Sequence, residues 1–189
     1  MNSWIIILAS VLLSAFFSGM EIAYLSSNKL KLELDKQSNS TIARLLQRIL
    51  RSPSKYIATM LVGNNISLVV YGITMAAVLE PKIQVYTQSS FLVLLIQTLI
   101  STLIILVTAE FLPKAFFRLN PNRFLKILVL PLTLFHYLLA PIVSITLFLS
   151  KRGLKLFGLV LVEDSPVFGK VDLEEYLKLH TNESEYKNL

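Results

Sequence analysis

Apolar residues run through this chain in long unbroken stretches, without the strict alternation of a half-buried strand. A helix needs about 20 apolar residues to cross roughly 30 Å of hydrocarbon. Three stretches reach that length, about 4–25, about 56–79 and about 91–112. A fourth, about 124–149, reaches it too but is interrupted by Pro131 and Pro141. Between the first two the pattern changes. Ile42, Leu45, Leu46, Ile49 and Leu50 recur at helical spacing, with Arg44, Arg48 and Arg51 largely on other faces. That predicts a basic amphipathic helix, lying either at the lipid headgroups or packed on the rest of the protein. The alternation in "KLKLELD" mimics a strand, which is not expected alone beside a membrane. From Glu163 the chain turns polar, and Leu173, Tyr176, Leu177 and His180 fit one short helix.

Composition agrees. Charged residues make up 16% of the chain and hydrophobic ones 54%, with a mean hydropathy of +0.63; soluble domains carry about a quarter charged. The first run has no basic residue before it and is too long for the apolar core of a signal peptide, so it reads as a retained span. The absence of cysteine excludes disulfides, thiol nucleophiles and thiolate metal sites. The net charge of +6 sits beside the apolar runs, so it reports membrane orientation and not a nucleic-acid partner.

Lys29, Lys31, Lys36, Arg44, Arg48, Arg51 and Lys55 face only Glu33 and Asp35 in the first loop, which places that loop in the cytoplasm. The N-terminus is then outside, Glu80 to Ser90 forms an external turn, and Lys114, Arg118, Arg123 and Lys126 return inside. A fourth span would put Lys151, Arg152, Lys155 and the tail outside. A proline-broken helical belt on the inner surface keeps every basic cluster cytoplasmic, and the charges favour it over a plain fourth span. The expected architecture is therefore an all-α membrane protein of three transmembrane helices plus a proline-broken cytoplasmic juxtamembrane belt. Residues 1–155 form the transmembrane domain, and residues 156–189 begin a cytoplasmic linker or extension.

Several polar groups interrupt the spans, and polar groups in lipid tend to face a protein interior or an aqueous path. Ser14, Ser18 and Glu21 share one stripe of the first helix. "LVGNNISL" puts Gly63, Asn64 and Asn65 near the middle of the second, and Glu110 stands before "FLPK" near the inner end of the third. At roughly 1.5 Å per residue, Ser18, Asn64 and Glu110 fall at similar depth in the inner half of the membrane. Such an all-oxygen set suits a hard cation, Mg²⁺ in particular. Plainer explanations exist for each residue alone. Ser14 is a small packing residue, Gly63 allows either close packing or a helix break, and Glu110 can pair with Lys114 one turn on. Glu21, near the cytoplasmic end, is the weaker candidate.

Taken in order, "SAFFSGMEIA", "LVGNNISLVV" and "AEFLPKAF" resemble three motifs of the CNNM/CorC family transmembrane domain, historically grouped with hemolysin-C-like proteins. The resemblance covers about residues 4–155. It implies three transmembrane helices with a cytoplasmic-side belt, assembled as a homodimer in the cell's inner membrane. It further implies Mg²⁺ transport, with Na⁺ coupling proposed for some members. Carried over by motif, the ligands are the hydroxyls of Ser14 and Ser18, the backbone carbonyl of Gly63, the amide oxygen of Asn64 and the carboxylate of Glu110. Met20 departs from the small residue common after Ser-Gly. Relatives usually continue into paired cytoplasmic CBS domains, which lie beyond this sequence.

Mg²⁺ transport, in the direction of efflux, is thus the leading expectation. The alternative is a non-transporting scaffold or accessory subunit in a larger membrane complex, such as a gliding-motility or secretion machine. An intramembrane enzyme is not expected: Ser18 in "FSGME" has no evident base, with His136 in the proline-interrupted run and His180 in the tail.

Overall fold

A computed structural model describes residues 2–28, 32 and 41–156, which contain helices and no strands. The elements in chain order are α1 (Asn2–Ser26), α2 (Thr41–Arg51), α3 (Pro53–Gln84), α4 (Ser90–Ile105), a π-helical segment (Leu106–Phe111), α5 (Leu112–Leu119) and α6 (Pro121–Leu156). The tail helix expected around Leu173 lies outside the described residues. So does the "KLKLELD" stretch apart from Leu32, which is buried.

Four helical stretches, not three, are long and apolar enough to cross a membrane: Ser3–Ser26, Pro53–Gln84, Ser90–Leu119 and Pro121–Leu156. The last corrects the expected break at the prolines. α6 runs uninterrupted for 36 residues with Pro131 and Pro141 inside it. Each proline forfeits a backbone bond and crowds the carbonyl four residues back. The helix persists because its face of Leu125, Val129, Leu132, Thr133 and Val143 is buried against its neighbours. The third stretch does deform. Pro113 has no N–H for Ala109 and its ring crowds that carbonyl, and the turn before it widens to π geometry, with the Leu112 N–H bonded to the Val107 carbonyl.

Two apolar clusters hold the helices together. One packs Met20 and Tyr24 of α1 and Tyr56 and Met60 of α3 with Leu125 and Val129 of α6, and takes in Leu46 and Ile49 of α2. The amphipathic helix therefore packs its buried edge on the protein, although Ile42 stays exposed. Met20 is a core residue here. The other cluster joins Ile7 of α1, Tyr71 and Met75 of α3, and Ile105 and Ala109 of the third stretch. Along α1 and α3, the stretch between the two clusters carries Ser14, Ser18, Asn64 and Ser67 beside the buried ring of Phe17.

A polar seam ties α2, α3 and α6 at one end. The Thr59 hydroxyl donates to the Lys55 carbonyl at 2.8 Å and lies 2.8 Å from His136 Nδ1. Its single proton is already used, so Nδ1 must be the donor in that second bond. The His136 ring also stacks on Tyr56, with centroids 4.3 Å apart, and Arg48 donates to the neighbouring Tyr137 hydroxyl. Thr59 is fully buried. Thr59→Val is accordingly expected to strand the His136 N–H and destabilise the bundle by about 1–3 kcal/mol, read as a lower Tm. An unchanged Tm would show that the seam carries no weight.

Candidate functional site

Hydroxyls in these helices mostly turn back onto the carbonyl four residues earlier, as in Ser10, Thr59, Ser67, Thr108 and Thr133. Ser14 and Ser18 depart from that habit. Ser14 reaches across to α3, and its Oγ donates to Asn64 Oδ1 at 2.7 Å. Ser18, one turn further, is wholly buried and its Oγ has no hydrogen-bond partner. A buried hydroxyl left unpaired costs about 1–3 kcal/mol, and the Gln97 amide oxygen is in the same condition.

Gly63 stands opposite this stripe on α3. Its helix does not unwind there, against one of the two expectations for this glycine; α3 continues from Pro53 to Gln84. What the glycine provides is proximity. A Cβ at position 63 would lie 2.4 Å from the Phe17 ring, far inside contact distance. The Gly63 carbonyl accepts from Ser67 Oγ at 2.8 Å. Gly19 serves the same purpose on the other side of α1, since a Cβ there would meet the Phe117 ring at 2.7 Å. Asn65 is exposed, so only one amide of the Asn-Asn pair belongs to the polar layer, with Asn64 half-buried.

Glu110 sits on the π-helical segment, half-buried. Its neighbour Ala109 is fully buried against the cluster that includes Ala15 and Leu68. Glu110 lines a cleft of about 680 Å³ with Ile22, Phe111, Lys114 and Arg118. Ile22 is one turn beyond Ser18 on the same stripe of α1. The structure thus joins Ser14 to Asn64 directly and puts Glu110 in a cleft with Ile22, two turns of α1 beyond Ser14. Among the described residues Glu110 makes no hydrogen bond or ion pair, so it is not neutralised by Lys114. Glu21 is half-buried near the same end.

The chemistry available is that of neutral oxygen donors with one carboxylate, since no three of His, Asp and Glu converge among the described residues. Carbonyl oxygens have two lone pairs, so Asn64 Oδ1 keeps one after accepting from Ser14, whereas the Gly63 carbonyl takes the Ser67 hydroxyl on top of its place in the helix's own ladder. Ser67 is the member that sequence reasoning missed. Its signal was available in its spacing, one turn beyond Gly63 on the same face as Asn64's neighbours.

Residues 4–188 match the model of the cyclin M transmembrane N-terminal domain, nearly the whole chain. The chain belongs to that family. A relative is the UPF0053 inner membrane protein YfjD of Escherichia coli (strain K12), 28% identical over 167 residues, covering 86% of this chain. The chain spans about a third of that relative's length, 36%. As a cyclin M domain with several apolar helices of spanning length, it is a multi-pass membrane protein with a transporter-like architecture. In this cyclin M domain Ser14 and Ser18 lie on α1, Gly63 and Asn64 on α3, and Glu110 on the π segment.

Proposed function

We propose that this cyclin M domain carries Mg²⁺ across the inner membrane, in the direction of efflux and with Na⁺ as a coupling ion. Ser14, Ser18, Gly63, Asn64 and Glu110 supply the oxygen ligands. The observation that supports this most directly is the Ser18 hydroxyl, fully buried and unpaired one turn from the Ser14–Asn64 bond. Mg²⁺ prefers oxygen donors and gives up water reluctantly. A site with one carboxylate binds weakly enough to release its ion, which transport requires. Ser14 donates to Asn64 Oδ1; an arriving cation would take the oxygens of both and turn the hydroxyl proton away.

The remaining architecture is read from charge. Basic residues place the first loop and the α5–α6 turn in the cytoplasm and the N-terminus outside. If α6 lies along the inner surface as one long helix, the C-terminus is cytoplasmic as well and leads towards CBS domains in a longer protein. A homodimer would cover the α4 part of the third stretch, where Phe91, Leu94, Leu95, Leu99 and Leu103 are exposed. The test is Mg²⁺ flux in liposomes. Ser18→Ala, Asn64→Ala and Glu110→Ala are each expected to abolish flux while the dimer stays folded, and unaltered flux in all three would overturn the proposal.

A further inference from the structure

The cleft beside Glu110 contains more than a carboxylate. Ile22, Leu106, Val107, Phe111 and Ala115 give it apolar walls, and Lys114 and Arg118 stand on its rim. These two cations are four residues apart on one face of α5. Among the described residues neither forms an ion pair. Around the α5–α6 turn a second cleft, of about 560 Å³, brings Asn120, Arg123 and Lys126 to the same end of the third stretch. An apolar groove therefore opens at a cationic edge, at the end where charge places the inner leaflet's headgroups.

We propose that this cleft is a binding site for an anionic phospholipid, with an acyl chain against the apolar walls and the phosphate held by Lys114 and Arg118. The inference rests on the chain's being a membrane protein and not on the cation site. A free phosphate would match the two cations but leave the apolar walls without an occupant. A zwitterionic lipid has no net charge with which to answer the pair. Glu110 would repel the phosphate, but it lies eight residues from Arg118, about 12 Å along a helix, so the headgroup sits at the Arg118 end. The acyl chain then passes beside Glu110, not the phosphate.

The chain's single tryptophan, Trp4, makes a direct measurement possible. Phe111→Trp in a Trp4→Phe background puts the only indole on the cleft wall, at a position that is 66% exposed and tolerant of a larger ring. The 189-residue chain is reconstituted, without Mg²⁺, in bilayers containing dibrominated phosphatidylglycerol or dibrominated phosphatidylcholine. Brominated phosphatidylglycerol is expected to quench with a relative affinity at least about five-fold higher, and Lys114→Gln and Arg118→Gln should each lower that preference by about five-fold. Helicity by circular dichroism, unchanged in the Arg118→Gln variant, keeps the comparison to folded protein. Equal quenching by the two lipids would overturn the proposal in favour of unselective lipid contact. Relief of quenching by millimolar inorganic phosphate would overturn it in favour of a free-anion site. No quenching by either lipid would mean that protein, such as a second copy, covers the cleft, and would overturn it too.

Discussion

Ser18→Ala is expected to raise the thermal stability of the helical bundle while abolishing cation flux. The Ser18 hydroxyl is fully buried and unpaired. Removing it relieves a desolvation cost of about 1–3 kcal/mol and leaves a void of only one oxygen atom, a smaller loss. Ser14→Ala should do the opposite. It breaks the 2.7 Å bond to Asn64 Oδ1 and leaves that oxygen without its donor, at a cost of about 1–2 kcal/mol. The two serines are four residues apart on one stripe and chemically identical, so a packing role predicts the same sign for both. Opposite signs of ΔTm, with flux lost in both, are the signature of a hydroxyl kept for a ligand. A Ser18→Ala protein that melts earlier than the parent would remove the main support for the site.

Gly63→Ala is the second large effect, and it acts through geometry. The added carbon would collide with the Phe17 ring at 2.4 Å. That ring cannot retreat easily: it is 2% exposed, and Phe16 and Phe135 hold it edge-on, with centroids 5.2 and 5.0 Å away. Overpacking of this kind costs about 1–3 kcal/mol. It also forces α1 and α3 apart beside Ser14 and Asn64, so Mg²⁺ flux should fall with stability. Phe17→Leu in the same chain makes room for the methyl group and is expected to recover most of both losses. If Gly63→Ala alone melts at the parent temperature, the close approach of α1 and α3 is not what this glycine secures.

These two residues also show where sequence reasoning stops. The motif around Gly63 allowed either a broken helix exposing carbonyls or a close crossing, because a glycine serves both and its sequence is the same in each. Only the position of Phe17, forty-six residues away, decides for the crossing. Equal depth placed Ser18, Asn64 and Glu110 together by counting residues along separate helices. Counting fixes height but not rotation or offset, and the structure pairs Asn64 with Ser14, one turn from Ser18. The prolines of α6 misled for a similar reason. Their local preference is against helix, and it was overridden by burial of one face against helices that the local sequence does not contain.

What the sequence determined by itself was the membrane class, the helical fold, the approximate spans and the identity of the polar intruders. Each of these follows from terms that act locally: the length of an apolar run, the cost of a polar group in hydrocarbon, and the position of basic residues beside it. The tertiary structure alone decided which hydroxyl is satisfied and which is left open, that Glu110 sits on a π turn beside an apolar cleft, and that Gly63 is a contact and not a break. Those are properties of distances between helices, which are set by side chains interlocking across the bundle and cannot be read from any one segment.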